Sequence, residues 1–90
     1  MGVREAICKA GLHARPAAVF VKAVLDSGHA VRVGRRRSRP EGESGEGRFV
    51  DARSIVSVLA LDIQPGEAVV LRGDDNELLE RLAGLLEADQ

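Results

Sequence analysis

The sequence predicts one α+β domain, in which four mainly antiparallel strands form a single sheet and the helices cover one of its faces. Three observations support this fold class. The 90 residues are the length of one domain, residues 1–90. Apolar segments follow in the order strand, helix, strand, strand, short helix, strand, helix. Two of these strands are consecutive, so the order is not the strict alternation of a doubly wound parallel sheet.

The first half of the chain contains the clearest helix, between two predicted strands. Residues 3–8 are mostly apolar and predict a strand, and residues 30–33 predict the next one. Between them, Pro16 suits the first turn of a helix and Gly28 suits its end. One face of this helix is apolar, through Ala17, Phe20, Val21, Val24 and Leu25.

Residues 35–47 form a long connection, rich in Arg, Gly, Glu and Ser. We expect a solvated, mobile hairpin tip. The alternative is a specific anion-binding patch, built from the arginines at 35, 36, 37 and 39. The nearby acids at 41, 43 and 46 nearly cancel that charge and favour the hairpin tip.

The second half begins with a returning strand at 48–50 and a short helix at 54–61, for which Ser54 or Asp51 is available as N-cap. Residues 64–66 predict a turn and 67–72 a strand. The final helix starts within the acidic segment 74–77. Its apolar face consists of Leu78, Leu79, Leu82, Leu85 and Leu86.

Composition excludes several classes of function. The net charge of −1 and the presence of only two aromatic residues give no reason to expect a nucleic-acid partner. No segment is apolar enough for membrane insertion or for a secretory signal, and we expect a cytoplasmic protein. Cys8 is the only cysteine, which excludes an internal disulfide, and no Cys/His cluster predicts a metal site. We expect Cys8 to be buried; a redox-sensitive thiol is the alternative.

The segment 11–18, GLHARPAA, is the most informative one for function. His13 directly precedes the helix, whose free N–H groups and positive dipole end favour an anion. Arg15 can add charge-assisted hydrogen bonds to phosphate oxygens, and Gly11 permits a sharp turn. A neutral imidazole has a free ring nitrogen that can attack phosphorus. The alternative is a loop histidine that merely happens to precede a helix.

GLHARPAA resembles the active-site signature of the HPr phosphocarriers of the bacterial phosphoenolpyruvate-dependent sugar phosphotransferase system. Residues 50–55 resemble the segment that bears this family's regulatory serine, and residues 65–67 also match in order and spacing. The resemblance implies an HPr-like open-faced β-sandwich, with four antiparallel strands, two long helices and one short one on one face. It further implies a monomer that is a protein substrate rather than an enzyme.

The resemblance also implies the chemistry. Enzyme I, charged by phosphoenolpyruvate, would phosphorylate the pros nitrogen, Nδ1, of His13, and a IIA domain would receive the group. Arg15 would stabilise the phosphate, with Pro16 and Gly11 shaping the site, and no metal or organic cofactor is expected. Partners would dock on an exposed patch made by Ala18, Lys22, Ile55, Val56 and Leu59, whereas Val58 and Leu61 are expected in the core.

Two positions extend or depart from the family pattern. Ser54 aligns with the serine that an HPr serine kinase phosphorylates in some members; it can also simply cap the short helix. Asp62 stands where the family usually has a glycine that ends this helix, and Asp is among the residues that tolerate left-handed backbone best.

Three other functions stay open. The same carrier chemistry could serve a regulatory branch for nitrogen or dihydroxyacetone. A non-catalytic regulatory module could act through the Ser54 face, although the retained His13, Arg15 and Pro16 disfavour it. A nucleic-acid binder that uses the Arg-rich loop is disfavoured by charge and by the low aromatic content.

Overall fold

The computed structural model describes residues 2–36 and 49–88. Within them the elements follow in the predicted order. They are β1 (Gly2–Cys8), α1 (Ala14–Ser27), β2 (Val31–Arg35), β3 (Phe49–Asp51), α2 (Ile55–Leu61), β4 (Glu67–Gly73) and α3 (Asn76–Glu87).

The four strands form one sheet in the order β1-β4-β2-β3, and every neighbouring pair is antiparallel. Directly opposite residues share a face, as Ala6 and Val69 do across β1 and β4. The inner face is buried, while Val3 and Ile7 on the outer face are exposed. The inner face is lined by Ala6, Cys8, Val31, Val33, Val69 and Leu71. One covered and one open face confirm the predicted fold class.

The helices cover the inner face. α3 packs against β1 and β4, α2 packs against β2 and β3, and α1 packs against both other helices. The largest fully buried side chains include Phe20, Leu12, Ile63, Leu79 and Leu82. No helix in residues 2–36 and 49–88 is long and apolar enough to cross a bilayer.

Two leucines of the predicted apolar helix faces are not buried. Leu25 is 54% exposed and Leu85 is 38% exposed, while Ala83 is buried. At 3.6 residues per turn, Leu25 and Leu85 each lie about a quarter turn from the centre of their helix's buried stripe. They therefore border the core.

The helix ends follow their predicted caps. Gly28 ends α1 in the left-handed region, at φ 76°. The Ser54 hydroxyl accepts a hydrogen bond from Ser57 N–H at 3.3 Å, so Ser54, rather than Asp51, is the N-cap of α2. The Asp75 carboxylate caps α3 by accepting the Glu77 N–H at 3.0 Å.

The predicted loop at 35–47 begins later than expected. Arg35 is the last residue of β2, and Arg36 N–H donates to the Ala68 carbonyl at 3.0 Å. The Arg36 side chain forms an ion pair with Glu5 at 3.1 Å. Both arginines are therefore held at the end of β2, each paired with a carboxylate, and are not parts of a mobile tip. The interpretation of residues 37–47 and the strand start at Arg48 lie outside the described residues.

Candidate functional site

The loop between β1 and α1 is fixed to the turn that precedes β4. Leu12 N–H donates to the Ile63 carbonyl at 2.9 Å, and Gly66 N–H donates to the Cys8 carbonyl at 2.8 Å. Leu12 and Ile63 are also fully buried. These bonds fasten the loop on both sides, so the residue that follows Leu12 has a defined position.

Gly11 makes the close approach of these two segments possible. Its φ is 78°, and a Cβ there would lie 2.9 Å from the Ile63 carbonyl oxygen and 3.1 Å from Pro65. Both the left-handed backbone and the lack of space require glycine. The predicted sharp turn at Gly11 is confirmed.

His13 is the N-cap residue of α1, in extended conformation with φ −125° and ψ 154°. Its carbonyl accepts the Ala17 N–H at 3.4 Å. Among the described residues no side chain caps this helix, and its first turn contains no acid. Ala14 has φ 44°, a conformation that costs a residue with a Cβ about 1–2 kcal/mol. The helix start beside the histidine therefore has N–H groups that no described side chain caps, an arrangement that favours an anion.

The imidazole of His13 is engaged through one nitrogen. Its Nε2 lies 2.9 Å from Oδ1 of Asp62, with 42% of the His13 side chain and 72% of the Asp62 side chain exposed. Asp62 ends α2 in the left-handed region, at φ 56°, as the sequence suggested. No local sequence pattern indicates this side-chain contact, because the two residues are 49 positions apart.

Asp62 is itself held by two neighbours. Gln64 Nε2 donates to the same Oδ1 at 2.9 Å. The guanidinium of Arg35 donates through Nη2 to the carbonyls of Leu61 and Asp62, at 2.9 and 3.2 Å. The C-terminal carbonyls of α2 thereby receive a cation, which their partial negative charge favours.

Glu67 fixes Arg35 in turn. The two side chains form a two-point ion pair, with Nε–Oε2 at 2.8 Å and Nη2–Oε1 at 3.1 Å. Hydrogen bonding to Arg35, and then to the Gln64 N–H, lowers the pKa of Glu67 below its usual value. The same ion pair raises the pKa of Arg35. A chain of bonded groups therefore runs from β4 through Arg35 and Asp62 to the histidine ring.

Arg15 and Pro16 lie in the first turn of α1, as predicted. Arg15 is exposed and makes no ion pair or hydrogen bond with any residue in 2–36 and 49–88. Its guanidinium is therefore available to an anion at the helix start. Both residues also border a largely apolar groove of about 140 Å³, whose floor includes Cys8 and Phe20.

The residues expected at the docking patch all lie on the surface of α1 and α2, two helices that pack side by side. Val56 is the most exposed of the three large apolar side chains in this patch, at 73%. Val58 and Leu61 are buried, which confirms their expected place in the core. The surface members are Ala18, Lys22, Ile55, Val56 and Leu59.

Cys8 and His29 form no hydrogen bond or ion pair with the His13 ring in the part of the chain that the structure describes. Cys8 is buried, as expected, and burial raises the pKa of its thiol, so the reactive thiolate is disfavoured. His29 is exposed beside β2, with Nε2 at 3.4 Å from Asp75. The structure thus gives the two histidines different surroundings, and only His13 stands at a helix start.

Comparison with known proteins identifies the family of this site. The family model described as "PTS HPr component phosphorylation site" matches residues 5–88. The chain belongs to the HPr family. It is 39% identical over 79 residues to the phosphocarrier protein HPr of Streptomyces coelicolor, covering 84% of this chain and 75% of that protein. HPr proteins are phosphocarriers of the phosphotransferase system, and this assigns the chain a phosphoryl-carrier role.

Solved structures of HPr proteins share the fold. The HPr of Bacillus anthracis is 26% identical, with a TM-score of 0.77, and the match covers 94% of this chain and 95% of that one. HPr-C-His of Thermoanaerobacter tengcongensis is 27% identical, with a TM-score of 0.76 and coverage of 97% and 92%. The resemblance seen in the sequence is therefore confirmed at the level of the whole fold.

Proposed function

We propose that Nδ1 of His13 accepts a phosphoryl group from enzyme I, itself charged by phosphoenolpyruvate, and passes it to a IIA domain for sugar uptake in the cytoplasm. The observation that carries this proposal is the position of His13 at the N-cap of a helix that no described side chain caps. A phosphoryl group on the ring would meet free N–H groups and the positive end of the helix dipole.

Arg15 supplies the second part of the site. It is exposed, unpaired within the described residues and two positions after His13, so its guanidinium can bond the phosphoryl oxygens. Pro16 has no N–H and leaves that position of the first turn without a donor, so the N–H groups of Ala14 and Arg15 are those that face an anion. Gly11 keeps the loop close to Ile63.

The partners would dock beside the ring, on the patch formed by Ala18, Lys22, Ile55, Val56 and Leu59. Apolar side chains that stay exposed on two adjacent helices favour a protein partner, and Lys22 would add a charge at the edge. Lys22 pairs with Asp26 at 2.9 Å in a solvent-exposed i,i+4 contact, which a partner carboxylate could replace at small cost.

Ser54 is the proposed regulatory position, modified by an HPr serine kinase where the organism has one. Its hydroxyl caps α2 and stands directly before Ile55 and Val56 of the patch. A phosphoryl group there would place about two negative charges next to the docking surface. We therefore expect modification of Ser54 to weaken transfer without removing His13 chemistry.

Charging by enzyme I tests the proposal. The protein is incubated with phosphoenolpyruvate, magnesium and enzyme I, and mass spectrometry measures one added, acid-labile phosphoryl group. We expect His13→Ala to abolish this gain and His29→Ala, the matched control at the other histidine, to retain it. A wild-type protein that stays unmodified with the enzyme I of its own organism would refute the proposal.

The acceptor separates sugar uptake from the regulatory branch with the same chemistry. Phosphorylated protein is mixed with a IIA domain of a sugar transporter, or with one of the nitrogen branch, and the loss of phosphohistidine is timed. We expect the sugar IIA domain to discharge the protein faster. Faster discharge by the nitrogen-branch domain would place the carrier in that branch.

A further inference from the structure

We propose that Asp62 is a positioning residue for phosphoryl transfer, which holds the His13 ring with its proton on Nε2 and its lone pair on Nδ1. The inference rests on the proposed function of His13 and adds a residue to it. It concerns this chain in particular, because the sequence has an aspartate where HPr proteins usually have glycine, and glycine has no side chain to bond the ring.

The contact itself selects the tautomer. An ionised carboxylate is only an acceptor, so at the 2.9 Å separation from Oδ1 of Asp62 the Nε2 atom must carry the hydrogen. In a neutral imidazole the other nitrogen then has the free lone pair. The nucleophilic atom is thus set by the hydrogen bond that the opposite nitrogen makes.

The Asp62 carboxylate is preorganised for this role by contacts that do not involve a partner protein. The backbone of Asp62 lies in the left-handed region. The guanidinium of Arg35 holds it there by donating hydrogen bonds to the carbonyls of Leu61 and Asp62. Its Oδ1 also accepts the Gln64 side-chain amide at 2.9 Å. Because the carboxylate already has a fixed place, less ordering is needed when it orients the ring.

The proposed step leaves the Nε2 proton in place. The Nδ1 lone pair forms the bond to phosphorus while the bond between phosphorus and the donor breaks, and that electron pair leaves with the donor. The ring gains positive charge, which the Asp62 carboxylate offsets. The carboxylate bonds Nε2, so it lies closer to the ring charge than to a phosphoryl group on Nδ1. Transfer to the acceptor is the reverse step, with the same proton retained.

Two variants remove the Asp62 carboxylate without straining the left-handed backbone at this position. Asp62→Gly removes the side chain and suits φ 56°, and Asp62→Asn keeps the size and a residue that tolerates left-handed backbone. Asp74→Asn is the matched control, since Asp74 is an exposed aspartate that forms no hydrogen bond or ion pair within residues 2–36 and 49–88. Circular dichroism and thermal unfolding verify that each variant is folded.

The first readout needs no partner protein. Nitrogen-15 chemical shifts of His13, measured where the ring is neutral, report the tautomer. We expect wild type and Asp74→Asn to hold the proton on Nε2, with a downfield Nε2–H signal. We expect Asp62→Gly to lose that downfield signal and to exchange between both neutral tautomers, because no acceptor then fixes the proton. Unchanged shifts in Asp62→Gly would overturn the inference.

The second readout is the rate at which enzyme I charges His13. We expect about a 10-fold loss in Asp62→Gly, at the low end for an orienting hydrogen bond because the pair is exposed. We expect a smaller loss in Asp62→Asn, whose amide oxygen can still accept. Equal rates in wild type and Asp62→Gly would overturn the positioning role while the proposed function stands. A wild-type protein that is not charged would overturn both, and the failure would then affect every variant alike.

Discussion

Gly11 gives the sharpest structural test of the site, because the chain contains a matched control. Gly11→Ala adds a methyl group at φ 78°, 2.9 Å from the Ile63 carbonyl oxygen. Gly28→Ala adds the same group at nearly the same φ, 76°, with nothing within 4 Å. The backbone cost of about 1–2 kcal/mol for a left-handed residue applies to both. Only Gly11→Ala must also displace neighbouring backbone, at a further cost of about 1–3 kcal/mol.

The difference between the two variants therefore isolates the steric cost. We expect Gly11→Ala to lower the free energy of unfolding by about 1–3 kcal/mol more than Gly28→Ala does, measured by urea denaturation with the m-value as a check on two-state behaviour. A typical domain has a free energy of unfolding of about 5–15 kcal/mol, so this extra loss in Gly11→Ala is readily measured. Gly11→Ala should also slow the charging of His13, because the loop must move. Equal destabilisation by the two substitutions would refute the close packing of the loop.

Three further predictions concern the rest of the site. Ser54→Ala should cost about 1 kcal/mol in urea denaturation through loss of the N-cap, while Ser54→Asn should retain most of that stability; equal losses would contradict the capping role. The Arg35 hydrogen bond lowers the pKa of Glu67, so its stabilisation is complete above the usual value of 4.5 and is lost as pH falls through the lowered pKa. Glu67→Gln should therefore flatten the acid-side decline in unfolding free energy, and an unchanged slope would contradict this. Val56→Glu should leave thermal stability nearly unchanged and slow transfer to a IIA domain, whereas Leu25→Glu, at a leucine on α1 that is 54% exposed and outside the docking patch, should leave the rate unchanged.

Local patterns predicted most of the fold. The order of elements, the end of α1 at Gly28 and the cap of α2 at Ser54 each depend on a few consecutive residues, and the sequence contains those signals. Leu25 and Leu85 belong to the predicted apolar faces of their helices and are nevertheless exposed. Hydrophobic periodicity marks an apolar stripe but does not fix how wide a part of it the neighbouring elements cover.

Contacts between distant segments were the part that sequence reasoning could not reach. The left-handed backbone at Asp62 is suggested by the resemblance, which places Asp62 where the family usually has a glycine. The bond to His13, in contrast, depends on how α2 lies beside the loop that precedes α1. Arg35 was assigned to a loop by composition, although its side chain joins Glu67 to the end of α2. Polar side chains near the protein surface follow no periodic pattern along the sequence, so the sequence does not reveal which of them bond to each other.

The most direct measurement of the central claim is a charge-and-discharge cycle at His13. Protein charged by enzyme I is freed of excess phosphoenolpyruvate and mixed with a IIA domain, while phosphohistidine is followed by phosphorus NMR. We predict a phosphorus signal of Nδ1-phosphohistidine that disappears as the IIA domain becomes phosphorylated, and no signal at all in His13→Ala. A phosphoryl group that persists with every IIA domain of the organism, or one that forms equally in His13→Ala, would contradict a carrier function at this site.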